Sequence, residues 1–346
     1  MKRVMWIAAA FWMLSAGTAW PIDQVYTSTS ESAYFGKITG ISAATVSLDS
    51  KQKGAPNEIP ANEIKRILFE NSPDGLHAAQ KAMLSGEYEK AIEALKKETP
   101  EANRAEVADE IVYCRAYCTA QLALSGAGTA DPNEAGRLMY AFVKGSPNSF
   151  HYYTACELLG DIFVAKGDFP NAQKYYAMLS QAPWPDYKIR AQVALGRSYL
   201  SQGNAASADK AFDDALNNDA PGELAEAQRT AARIGKARCL VLGGKTDQAI
   251  RSLDEILNRT EEKQVEVNAM AYNALGTALR KDKPKDAILA FLHVHLANGI
   301  SPDLDAEAVA NLEKLFTETH KPDHSREMRE ILNEKYRNSR WAKGVK

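Results

Sequence analysis

Long apolar runs are scarce in this 346-residue chain. The run at residues 4–14 has eleven, well short of the ~20 that a membrane-crossing helix needs. Cysteine is scarce as well: Cys114, Cys118, Cys156 and Cys239 are too few for a disulfide framework. They read as small core residues. A Cys114–Cys156 or Cys118–Cys156 bridge between neighbouring helices is the alternative. An excess of one charge is missing: 42 Lys+Arg face 44 Asp+Glu, so nothing calls for nucleic acid as a partner. Motifs of catalysis are missing too. There is no His-Glu-x-x-His, no glycine-rich phosphate loop and no nucleophile elbow. His293 and His295, two apart on a predicted helix, point to different faces and do not chelate one ion. His77, His151, His320 and His324 are dispersed. No catalytic residue, no metal site and no cofactor is therefore expected, and the chain reads as a non-enzyme.

What is present begins with the N-terminus. Lys2 and Arg3 precede the apolar run, and Ser15-Ala16-Gly17-Thr18-Ala19 follows it. That order predicts a signal peptide at residues 1–19, cleaved after Ala19, and export to the periplasm or beyond. An uncleaved anchor is the alternative. No Cys stands near the cleavage point for lipid attachment. Without Lys2 and Arg3 the mature chain carries 40 basic and 44 acidic side chains, a net charge of −4, and it has no transmembrane segment.

Residues 22–71 have a different texture from the rest. Ala33-Tyr34-Phe35-Gly36-Lys37-Ile38-Thr39-Gly40-Ile41, Thr45-Val46-Ser47-Leu48, Glu58-Ile59-Pro60 and Ile64-Lys65-Arg66-Ile67-Leu68-Phe69 alternate as short strands do. Residues 23–27 add an edge strand. Four or five strands in so short a span suggest a small barrel, because closure hides the sheet edges. Gly36-Lys37-Ile38-Thr39-Gly40-Ile41 and Ile59-Pro60-Ala61-Asn62-Glu63-Ile64-Lys65-Arg66-Ile67 resemble SH3-like or Sm-like barrels. The export signal argues against the RNA role that this likeness would imply, and for docking on a partner or capping the array that follows.

Six alanines pace that array: Ala91, Ala135, Ala172, Ala208, Ala249 and Ala287, separated by 44, 37, 36, 41 and 38 residues. Gly86, Gly167, Gly203 and Gly244 each stand five residues before one of them. An apolar residue stands four after each: Leu95, Met139, Tyr176, Phe212, Leu253 and Phe291. A recurrence of this length is the mark of a helix-pair solenoid. Small residues are needed where two helices cross closely, and Gly accepts the backbone angles that end a helix. Residues 125–132 account for the wide first gap as an inserted loop, and 283–284 replace the turn glycine of the sixth repeat with Lys-Pro.

Here the chain resembles the tetratricopeptide repeat (TPR) family, on Gly86-Glu87-Tyr88-Glu89-Lys90-Ala91, Leu159-Gly160 with Ala172, Leu195-Gly196 with Ala208, Gly244 with Ala249, and Leu275-Gly276 with Ala287. The likeness covers residues 74–338. It implies a mainly α fold, a solenoid of six to seven helix pairs, preceded by the small all-β module and followed by a flexible tail at 339–346. Gly86, Gly160, Gly196, Gly276 and the six alanines are its packing positions. In that family the first helix of each pair lines the concave groove. The projection places Glu157, Asp161, Arg190, Arg197, Arg238, Asn273, Thr277 and Arg280 there. Four arginines suit forked contacts with carboxylates, so an acidic segment or a free C-terminus is the expected occupant. Trp184, between Pro183 and Pro185, is a second contact candidate or a packing plug. The reading is a scaffold that binds a protein or peptide outside the cytoplasm. The alternatives are an accessory subunit of an outer-membrane or cell-wall assembly and a hydrolase using the groove.

Overall fold

A computed structural model describes residues 22–99, 104–126, 130–262, 264–297 and 300–343. The signal segment and part of the 125–132 loop lie outside them.

Five short strands come first: β1 (Asp23–Thr27), β2 (Tyr34–Ile41), β3 (Thr45–Asp49), β4 (Glu58–Pro60) and β5 (Ile64–Leu68). All neighbours are antiparallel in the order β4-β3-β2-β1-β5. Val25 stands opposite Ile67, Ile38 opposite Leu48 and Val46 opposite Ile59. All six are buried, because alternate residues of a strand share one face. The expected barrel does not close: among the described residues no ladder joins β4 to β5. β4 is three residues long and ends at Pro60, and a 3-10 turn at Ala61–Glu63 steps the chain across to β5. The sheet is instead sealed by helices. Gln80 donates to the Ile67 carbonyl (3.0 Å). Asp23, 1% exposed, accepts from the Ile38 and Glu70 amides (both 2.8 Å) and from both arms of the Arg104 guanidinium (2.6 and 3.0 Å). Asn62 reaches Asp186 (3.3 Å).

The rest is seven helix pairs among the described residues: α1 (Asp74–Leu84) with α2 (Tyr88–Leu95), α3 (Ala105–Ser125) with α4 (Pro132–Gly145), α5 (Tyr152–Ala165) with α6 (Phe169–Leu179), α7 (Pro185–Ser201) with α8 (Ala205–Leu216), α9 (Glu223–Leu242) with α10 (Thr246–Arg259), α11 (Val265–Leu279) with α12 (Pro284–His295), and α13 (Pro302–Glu318) with α14 (Pro322–Lys335). The arrangement is TPR-like. Asp131, Asp168 and Asn204 cap α4, α6 and α8 by accepting from backbone amides, which satisfies donors the helix leaves orphaned.

All six pacing alanines are 0% exposed. A Cβ at Gly160 would lie 2.4 Å from the Tyr176 ring, at Gly196 2.5 Å from Phe212, and at Gly276 2.7 Å from Phe291. Each of those rings is the residue four beyond a pacing alanine. Gly235 makes the same contact with Phe212, at 2.3 Å, and was not singled out by the spacing. Gly86 belongs elsewhere: no atom lies within 4 Å of a Cβ there, and its φ of +70° marks it as a turn residue, not a packing one.

Two further expectations are corrected. The wide first gap owes as much to α3, which is 21 residues long, as to the loop after it. α3 touches α1, α2, α4, α5 and α13, and a helix enclosed by so many neighbours can be apolar all round. The tail is not frayed over residues 339–343. Ser339 is 1% exposed, Trp341 Nε1 donates to Asp303 (3.0 Å), and the Asn338 amide donates to the Gly126 carbonyl (3.1 Å). No helix among the described residues is long and apolar enough to cross a membrane.

Candidate functional site

First helices pack on one another from α3 to α13, in the order α3, α5, α7, α9, α11, α13, while each second helix packs on its own partner and on the next first helix. The first helices therefore form the inner layer of the curve. Glu157 and Asp161 are one turn apart on α5, and Arg190 and Arg197 two turns apart on α7, so each pair shares a face.

The structure brings these four together. Arg190 Nη2 lies 2.5 Å from Glu157 Oε2. Arg197 stands further off, 3.8 Å from Glu157 and 4.0 Å from Asp161. Asp161 also accepts the Tyr176 hydroxyl (2.7 Å). Burial pushes the Glu157 carboxyl above its usual range; Arg190 and Arg197 pull it down and Asp161 pushes it up. Burial works against the Arg190 charge, but Glu157 together with Tyr187 and Asp161 outweighs it and holds the guanidinium above its ordinary value. Arg190 also lies over the Tyr187 ring, 5.3 Å from its centroid.

The other inner-face residues are likewise committed. Arg238 pairs with Glu307 of α13 (3.0 Å). Asn273, 0% exposed, donates to the Leu304 carbonyl (3.0 Å) and to Glu307 (3.3 Å). Arg280 forks onto Glu318. Thr277 is exposed and returns its hydroxyl to the Asn273 carbonyl (2.8 Å). Trp184 is half-buried and packs edge-on against Tyr153 (5.8 Å) and Tyr187 (5.1 Å), as a packing plug does. The inner face is thus a mosaic of ion pairs rather than a run of bare positive charge. Glu307 and Glu318, which neutralise it, were missed in the sequence because the repeat motif of the last pair is weak. Their spacing from Arg238 and Arg280, 69 and 38 residues, carries no local signal.

Two buried carboxylates away from this face, Glu110 and Asp305, are also matched. Glu110 accepts from Gln80 (2.8 Å) and faces His151 Nε2 (2.9 Å), whose ring stacks on Tyr113. His295 meets Asp305 at 2.7 Å. All four cysteines are free and buried; burial pushes the Cys118 and Cys156 thiols up to about 12, so they are poor nucleophiles. A cleft of about 490 Å3 lies between α9, α10 and α11, lined by Glu226, Arg233, Arg259 and others. Hydrogen bonds from Arg233 and Arg229 hold the exposed Glu226 carboxyl below the usual carboxylate range, as in an ion pair. No group of three metal-ligating side chains forms among the described residues.

This geometry defines a class: a TPR-like repeat array whose inner layer is charged. Several solved structures superpose on most of this chain. A tetratricopeptide repeat protein from Parabacteroides merdae superposes over 79% of this chain and 96% of its own, at 15% identity and a TM-score of 0.49. The hetero-tetramer Cut9–Hcn1 of the APC/C matches 78% of this chain and 47% of the other, at 18% identity and a TM-score of 0.47. The C-terminal part of a TPR repeat-containing protein from Cytophaga hutchinsonii matches 78% and 99%, at 15% identity and a TM-score of 0.40. No protein-family model matches the sequence, and no curated protein does.

Proposed function

We propose that this chain is a non-catalytic protein-interaction scaffold, exported from the cytoplasm, whose inner face takes a segment of a partner protein. The supporting observation is the contrast between Arg197 and its neighbours. Arg190 and Arg238 are held by buried carboxylates at 2.5 and 3.0 Å, whereas Arg197 is about half exposed and has only contacts of 3.8 and 4.0 Å. An incoming carboxylate gains a forked, charge-assisted pair there and displaces only long contacts. An acidic side chain or a free C-terminus is therefore the group the partner offers. Export rests on the Lys2-Arg3 start, the apolar run at 4–14 and the small residues before Trp20.

Crosslinking in the native cell, followed by mass spectrometry, tests both halves. Arg197→Gln is expected to lower capture of the wild-type partner about tenfold, as the loss of one charged hydrogen bond does. Equal capture by the variant overturns the inner-face reading. The mature chain is expected to begin at Trp20; a chain beginning at Met1 in the cytoplasmic fraction overturns export.

A further inference from the structure

Three first helices carry a glycine that lies directly beneath a ring of the helix that follows. Gly160-Asp161 on α5 lies under Tyr176, Gly196-Arg197 on α7 under Phe212, and Gly276-Thr277 on α11 under Phe291. Each ring stands four residues after a pacing alanine, where the other pairs have Leu95, Met139 and Leu253. Of these six side chains Tyr176 alone has a hydroxyl, and of the three glycines Gly160 alone is followed by a carboxylate. Phe212 and Phe291 fill the same slot without a hydroxyl, so packing does not require one.

The hydroxyl goes to Asp161. Tyr176 is 3% exposed and its ring is pressed on Gly160, where a Cβ would come within 2.4 Å of it. From there it donates to Asp161 Oδ1 at 2.7 Å. Arg197 Nη2 stands 4.0 Å from that same oxygen and 3.8 Å from Glu157 Oε1. Both distances lie within charge attraction but outside the ~2.7–3.2 Å of a hydrogen bond. Glu157 is itself held by Arg190 through its other oxygen, at 2.5 Å. The two carboxylates that Arg197 faces are thus engaged by other donors. A ring fixed by packing donates without losing rotamer freedom, whereas Arg197, nearly half exposed, has several torsions to order before it can fork.

We propose that the Tyr176 hydroxyl is a positioning group for the partner contact: by holding Asp161 it keeps Arg197 at a stand-off, with its donors open to an incoming carboxylate. The proposal rests on the reading of Arg197 as that contact, but the stand-off belongs to this chain alone. Tyr176 is buried and acts through Asp161. Without the hydroxyl, Asp161 turns to Arg197 and a charge-assisted pair forms within the chain. The partner's carboxylate then has to displace it.

Tyr176→Phe removes one oxygen and leaves the residue that the next repeat uses in this slot, so the fold is retained. Phenylglyoxal is the probe, because it attacks the uncharged guanidine and a close carboxylate disfavours that form. Reaction is mapped by mass spectrometry, with exposed Arg251 as the internal reference. Arg197 is expected to react about threefold more slowly in Tyr176→Phe than in wild type, the weight of one exposed ion pair. Tyr176→Phe with Asp161→Asn is expected to return to the wild-type rate or above. A merely structural loosening of the ring would instead expose Arg197 and speed its reaction in the single variant. The proposal is overturned by an unchanged or faster rate in Tyr176→Phe, or by a double variant as slow as the single one. Equal capture of the partner by Tyr176→Phe and wild type, where Arg197→Gln loses it, overturns it as well. The chemical readout needs no partner: if Arg197→Gln captures as wild type does, the inner-face reading falls while the measured rates still decide the stand-off.

Discussion

At the scale of single residues the array is held by a glycine facing a ring. Gly196 sits under Phe212, which four positions earlier is announced by Ala208. Gly196→Ala places its new methyl 2.5 Å from that ring. Overpacking of this kind is expected to cost about 1–3 kcal/mol, seen as a lower urea midpoint, and Phe212→Leu in the same chain is expected to recover part of it. This contact was half legible in the sequence. The alanine and the aromatic four residues on follow from helix periodicity. Gly235, pressing on the other side of the same ring, did not, because it needs the position of the next helix. The ion pairs were legible only in part. Arg190, Arg197, Arg238 and Arg280 stood out by type and by repeat position, as did Glu157 and Asp161, whereas Glu307 and Glu318, which answer Arg238 and Arg280, were found by folding.

At the scale of elements, short polar joints fasten one pair of helices to the next. Asp305 of α13 accepts from His295 Nδ1 of α12 (2.7 Å), from Lys335 of α14 (3.2 Å) and from Tyr336. Burial alone would raise its carboxyl, but the His295 and Tyr336 hydrogen bonds and the His295 and Lys335 charges outweigh it and leave the group below the usual carboxylate value. A depressed carboxyl stabilises the fold above its unfolded pKa, about 3.9 for Asp. That stability is lost as pH falls through the lower folded value. Wild type is therefore expected to exceed Asp305→Asn in urea midpoint at pH 7, by about 1–3 kcal/mol, with the gap shrinking below about pH 4. A gap that is constant with pH would show that the carboxylate charge contributes nothing to the joint. Its partners lie 10 to 31 residues away, and only His295 had been noticed, as one of two histidines on a helix.

At the scale of the whole molecule, the β module and the helical array form one body through Asp23 and Arg104. Asp23 carries four hydrogen bonds, two from the sheet backbone and two from Arg104, which stands just before α3. Arg104→Ala leaves a buried carboxylate without its cation and is expected to cost about 3 kcal/mol. The check is limited proteolysis: cleavage is expected near residues 70–74, between β5 and α1, with helix content by circular dichroism retained. A resistant β module would show that its apolar face alone seals the joint. The same scale holds the contact at Gly126, where a helix C-cap glycine doubles as a landing place for the far end of the chain.

The number and phase of the helix pairs came from the sequence itself, because a helix repeats every 3.6 residues and a crossing point demands a small side chain wherever it recurs. The β character of residues 22–71 came the same way, from alternation. Tertiary structure decided what those local rules do not reach: an open sheet sealed by helices instead of a closed barrel, arginines neutralised by carboxylates up to 69 residues away, and an array whose ends meet. Each depends on the summed rotation of successive pairs. That sum is fixed by packing between helices, and no window of the sequence contains it.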